Sequence, residues 1–152
     1  MKLAEALILR ADCQKRFNQL KARLVTNAKI QEGDQPAETP QELIAELGRV
    51  SAELHDLIKR INKTNSATAL STGGTISDAL AERDVIALQR AAYAELAQAA
   101  SINVGRYTRS EVRYISTIDV AAIQKRADEL AKNYRDLDAR IQGLNWKTEL
   151  VE

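Results

Sequence analysis

Only one cysteine, one histidine and two prolines occur in the 152 residues, and aromatic side chains make up just 4%. Each shortage excludes something. A lone cysteine forms no internal disulfide, so nothing in the chain requires an oxidising compartment. One cysteine and one histidine cannot complete a four-ligand zinc site within a subunit. No Ser–His–Asp arrangement emerges from the spacing either. Both prolines, Pro36 and Pro40, precede residue 41, so long stretches are free of the strongest helix breaker. With Phe17 and Trp146 the sole examples of their kind, a core must be filled by Leu, Ile, Val and Ala, which suits close helix–helix contact. The net charge of +1 argues against global attraction to nucleic acid or anionic membrane. No apolar run approaches the roughly eighteen residues of a membrane span, and no segment has the alternation of a pore-forming strand. The opening MKLAEALILR is too short in its apolar part for a signal peptide. These absences lead to a cytoplasmic chain with no membrane partner, no metal and no cofactor.

Apolar periodicity is the main positive signal. The fold class expected is mainly α: a single helical domain over 1–152, with four long helices and an N-terminal antiparallel coiled-coil hairpin over 2–62. In the first helix Leu3, Leu7, Cys13, Phe17, Leu20 and Leu24 recur at three- and four-residue steps, the spacing of one face. It is expected to run to Ile30, before QEGDQPAET breaks it. Thr39-Pro40-Gln41-Glu42 restarts a helix, with Thr39 as cap, Pro40 at the first helical position and Glu42 returning the capping bond. Leu43, Leu47, Val50, Leu54, Leu57 and Ile61 then form a coiled-coil seam, ending near Asn62.

A loop over 63–76 follows, in which Gly73-Gly74 leaves a short β-hairpin or an irregular turn open. The third helix is expected over 77–103. Nine alanines between Ala79 and Ala100 fit a helix buried between others, since alanine combines high helix propensity with small size. An extended segment over 106–117 and a capping box at Ser116 and Asp119 precede a fourth helix over 118–146. Its seam is Ile123, Ala127, Leu130, Tyr134, Leu137, Ile141 and Leu144.

Charge supports one pairing. Residues 1–31 hold seven basic and two acidic side chains, whereas residues 32–58 hold one basic and seven acidic. Helices joined by a short loop pack antiparallel. Arg16 then faces Glu53 and Arg23 faces Glu46, both with index sums of 69, while Phe17–Leu54 and Leu24–Leu47 sum to 71.

The segments MKLAEAL, QEGDQPAETP, RINKTN, GTISDALAERD, RYTRSEVRYIST and LDARIQGLNW together resemble a bacterial family labelled septicolysin-like. The resemblance spans nearly the whole chain. It implies no defined chemistry, and the label implies a cytolysin.

Three clusters qualify as sites. Glu53, His55 and Asp56 share a helical turn, with Glu46 and Glu42 upstream, and carboxylates at that spacing can ligate a divalent cation. A solvated face answering the basic first helix accounts for them more simply. Arg106, Tyr107, Arg109 and Arg113 form the densest basic and aromatic cluster outside a helix. Guanidinium forks there would bind phosphate or another anion; the competing account is loop-to-helix salt bridges. Lys59, Arg60 and Lys63 near the end of the second helix complement its dipole. There is no phosphate-binding glycine loop, because Gly73-Gly74 lacks the strand and the following lysine. The leading functional reading is a non-enzymatic assembly or interaction protein that forms a homo-oligomer through leftover apolar stripes. A binding module for nucleic acid or a phosphorylated anion is second. A cation-dependent helical hydrolase using Glu46, Glu53 and Asp56 is third.

Overall fold

A computed structural model describes residues 1–101 and 114–152. The protein is mainly α, a helical bundle of α1 (Leu3–Thr26), α2 (Pro40–Ala67), α3 (Ile76–Ala100) and α4 (Val120–Lys147). Among the described residues two isolated bridges stand outside the helices, Lys2 with Glu149 and Ala69 with Thr75. The chain divides into two compact units, one of Met1–Thr75 with Gly143–Glu152 and the other of Ile76–Gln142.

In the first unit α1 and α2 form the expected antiparallel hairpin. Its direction follows from what holds its two ends. At one end Asn27, just after α1, accepts a bond from the Glu38 backbone N–H at 3.1 Å, just before α2. At the other end a short C-terminal tail touches both the start of α1 and the last turns of α2. Leu3 N donates to the Thr148 carbonyl at 2.9 Å, and Val151 N donates to the Thr64 hydroxyl at 2.9 Å. The buried seam comprises Leu3, Ala6, Cys13 and Leu20 from α1 with Leu43, Val50, Leu57 and Ile61 from α2. Phe17, Leu24, Leu47 and Leu54 are only half-buried, so they flank this seam.

Both helices end away from where periodicity alone puts them. α1 stops at Thr26, four residues before Ile30. Asn27 terminates it by donating from its backbone N–H and its Nδ2 to the Arg23 carbonyl. A short amide side chain that bonds nearby backbone competes with further helix. α2 begins as expected, with Thr39 before it and Pro40 at its first turn, but the Thr39 side chain makes no cap bond. It runs to Ala67 instead of ending near Asn62. Thr64 lets the seam continue, because its fully buried hydroxyl donates to the Arg60 carbonyl at 2.8 Å and accepts from Val151. The glycine pair sits in a tight turn closed by the Ala69–Thr75 bridge, with Leu70 N donating to the Gly74 carbonyl at 2.9 Å. Positive φ at Gly73 (93°) and Gly74 (77°) explains the residue choice, since a Cβ disfavours that region.

In the second unit Asp119 caps α4, its carboxylate accepting from Ala122 N at 3.1 Å. The Ser116 hydroxyl instead bonds within its own turn, to Ile118. All seven expected seam residues of α4 are buried or half-buried. α3 is tied to α4 by Arg83, whose Nη1 donates to Asp138 at 3.0 Å. The expectation that alanine marks α3 as enclosed is corrected. Only Ala79 and Ala97 of its nine alanines are buried, while Ala81, Ala91, Ala92, Ala94 and Ala99 are exposed.

Two stability outcomes follow. Leu57→Ala removes a buried seam side chain and lowers unfolding stability by about 2–4 kcal/mol in urea titrations, whereas exposed Val25→Ala changes it by less than about 0.5 kcal/mol. Arg10 lies one turn before Cys13 on the seam side, and its Nε is enclosed without a hydrogen-bond partner. Arg10→Met keeps the apolar stem and removes the orphaned donor, so it raises stability by about 1 kcal/mol in the same titration.

Candidate interaction surface

The charged face of the hairpin carries the carboxylates that the sequence offers as cation ligands. Arg16 reaches both Glu46 and Glu53, at 3.7 Å each. The expected Arg16–Glu53 pair is therefore present. The expected Arg23–Glu46 pair is not: Arg23 grips Glu38, with Nε 3.1 and 3.0 Å from its two carboxylate oxygens and Nη2 close by. The linker carboxylate turns back along α1 and reaches the guanidinium before Glu46 can. Asp56 pairs with Arg60 at 3.6 Å. Among the described residues no group of three or more His, Cys, Asp or Glu side chains is arranged to hold a metal ion. The simpler account of these carboxylates, an ion-paired face, is the one the geometry supports.

A groove of about 600 Å³ lies at the turn of the hairpin, lined by Arg23, Glu38, Glu42, Glu46 and Arg49 among others. Its charges are of both signs, and Arg23 and Glu46 are already engaged. Pockets that hold small molecules are mostly apolar with a few convergent polar groups, and this groove has the opposite character. The Arg23 guanidinium holds the Glu38 carboxyl below its ordinary value, and Lys2 does the same for Glu149.

Cys13 is buried and unpaired. Burial first, and then the neighbouring Glu53 carboxylate, push its thiol up. A thiol held protonated is a poor nucleophile, so Cys13 behaves as a small apolar residue. The cluster read as a dipole complement does something else. Arg60 Nε donates to the Val151 carbonyl at 3.3 Å, and Lys63 Nζ donates to the Glu152 backbone carbonyl at 2.7 Å. These side chains fasten the C-terminal tail. Sequence reasoning missed this role because the partners are about ninety residues away, as the separations of 91 and 89 show.

Arg106, Tyr107, Arg109 and Arg113 lie outside the described residues. Beside them, Tyr114 and Ile115 are largely exposed.

The outer face of α3 has a different character. Ala81, Val85, Leu88, Ala92, Leu96 and Ala99 follow steps of four and three, so they line one stripe. All are exposed, with Val85 at 52%, Leu88 at 71% and Leu96 at 42%. The inward face is marked by buried Ala79 and Ala97 and by half-buried Arg83, Ile86 and Tyr93. The stripe contains no charge and is flanked by Glu82 and Gln89 on one side, Asp84 and Glu95 on the other. Sequence reasoning anticipated leftover apolar stripes in general and did not locate this one. The signal was present in the Val85–Leu88–Ala92–Leu96 steps, hidden by alanine on every side of the helix.

A family model described as "Family of unknown function (DUF6847)" matches residues 10–150. The chain belongs to this family. A solved structure from Corynebacterium diphtheriae, described as that of a functionally unknown conserved protein, is 48% identical and covers 99% of each chain with a TM-score of 0.93. Comparison with curated proteins finds no match. The septicolysin-like assignment is thereby corrected: five of the six segments that carried it fall within 10–150, and the family matched there carries no such label. No described helix is long and apolar enough to cross a membrane.

The Glu38 pairing has a pH signature. A depressed carboxyl adds stability that is complete above its ordinary value of 4.5 and fades as pH falls through the lowered value. Glu38→Gln is therefore expected to unfold at lower urea than the parent at pH 7. The two midpoints should converge as pH falls through the lowered value, where the parent carboxyl becomes protonated as well.

Proposed function

We propose that this chain is a non-enzymatic assembly or interaction protein that self-associates through its helices. The observation that carries this reading is the uncharged apolar stripe on the outer face of α3. Three large aliphatic side chains there are exposed, two of them by more than half, along a helix whose other face is already used. Single exposed apolar residues are ordinary on protein surfaces; a continuous row bounded by polar residues marks an association site. Symmetric closure by a further copy is the commonest way such a surface is covered. The paired carboxylates of α2 and the protonated, buried thiol favour this reading over catalysis. The single unpaired cysteine accords with a reducing, cytoplasmic setting.

The test is mass in solution. Light scattering on the purified chain is expected to give a multiple of 16.8 kDa, and Leu88→Glu is expected to return it to the single-chain mass with unchanged helical circular dichroism. A single-chain mass for the parent at high protein concentration would overturn the reading.

A further inference from the structure

Resting on that reading, we infer that the occupant of the α3 stripe is the α3 stripe of a second copy, laid antiparallel across a two-fold axis between Leu88 and Ala92. Residue size along the stripe is the first argument. A two-fold axis at this point pairs Leu88 with Ala92 of the second copy and Ala81 with Ala99, both with index sums of 180. Val85 falls beside Leu96, one residue off that sum. A large side chain thus meets a small one at the centre, and two small residues meet at each end. Helices can then approach closely at both ends while leucine fills the space that alanine leaves. A parallel pairing would set Leu88 on Leu88 and Ala92 on Ala92, alternating a crowded layer with an empty one.

Charge is the second argument. Antiparallel pairing brings like flanks together, so Glu95 approaches residues 83–85 of the second copy. A bare carboxylate there would repel it. Asp84 is not bare, because Arg83 donates to it from Nε at 3.2 Å and Nη2 at 3.0 Å. Nη1 of the same guanidinium is held by Asp138, so it screens the Asp84 carboxylate and is not a free partner for Glu95. The effect is modest, since exposed charges contribute little, but it lessens a reason for the helices to stay apart.

Area is the third. From Ala81 to Ala99 the stripe is about 27 Å long and one helix wide, at 1.5 Å rise per residue. Covering it on two copies removes on the order of 600–1,000 Å² from water, less than a stable interface buries and in the range of weak, transient ones. Such a pair forms and separates with concentration.

The experiment uses the full chain with Cys13→Ser, into which Ala81→Cys or Ala99→Cys is introduced. A disulfide requires Cα atoms within about 7 Å, whereas like positions at the stripe ends lie about 27 Å apart in the antiparallel pair. Each variant oxidised alone is expected to remain monomeric on a denaturing gel, and an equimolar mixture of the two is expected to give a cross-linked dimer. Cross-linking of either variant with itself would overturn the antiparallel arrangement while leaving self-association intact. A parent that scatters as a multimer but gives no cross-link in the mixture would overturn this register in the same way. A single-chain mass for the parent would sink both the arrangement and the reading it rests on.

Discussion

The aliphatic seam between α1 and α2 is the constraint from which most of the first unit follows. With one phenylalanine and one tryptophan in the chain, no large ring lies among the buried seam residues to span a gap between loosely placed helices. The backbones must come close enough for leucine, valine, cysteine and alanine to touch. Close approach leaves little tolerance at the hairpin's ends, and there polar side chains take over. Asn27 closes the turn end through Glu38, and Thr64 closes the open end through Val151. Each is a buried polar group with its bonds made, which is the condition under which burial costs little. Lys2 and Glu149 pair outside the same closure, so a weak surface interaction adds to a geometry already set by backbone bonds.

Charge follows the seam rather than setting it. The opposite signs of residues 1–31 and 32–58 do meet across the hairpin, but not one to one. Arg16 divides itself between Glu46 and Glu53, and Arg23 leaves the helix face for the linker. Long flexible side chains near water choose among several partners at a cost of a few tenths of a kcal/mol. A shared index sum therefore identifies which helices pair and in which direction. It cannot say which guanidinium takes which carboxylate.

What was legible in the sequence has a common property: it depends on neighbours within a few turns. Pro40 after Thr39 marks the start of α2, Asp119 the cap of α4, and the seam of α4 is complete from Ile123 to Leu144. The misread ends of the first two helices and the role of the basic cluster depend on partners beyond the helix itself. Asn27 ends α1 early because Glu38 is folded back beside it. Thr64 extends α2 because Val151 supplies the donor that its buried oxygen needs. Arg60 and Lys63 look like a helix-end cluster until the tail arrives. Periodicity cannot detect bonds between residues nearly ninety positions apart.

Alanine produced the most consequential misreading, and its cause is chemical. Alanine favours helix irrespective of environment, and it is neither costly in water nor strongly driven out of it. A helix with alanine on every side therefore carries almost no amphipathic signal. In α3 the information lies in the few large aliphatic residues. Ile76 and Ile86 mark the inward side, while Val85, Leu88 and Leu96 mark another. Two apolar faces on one helix mean that packing within the chain uses only part of what the sequence provides. The alanines between those larger residues keep the outer face flat enough for a second helix to lie along it. The same composition that blurs the inward face thus leaves the outer one suited to a close helical neighbour.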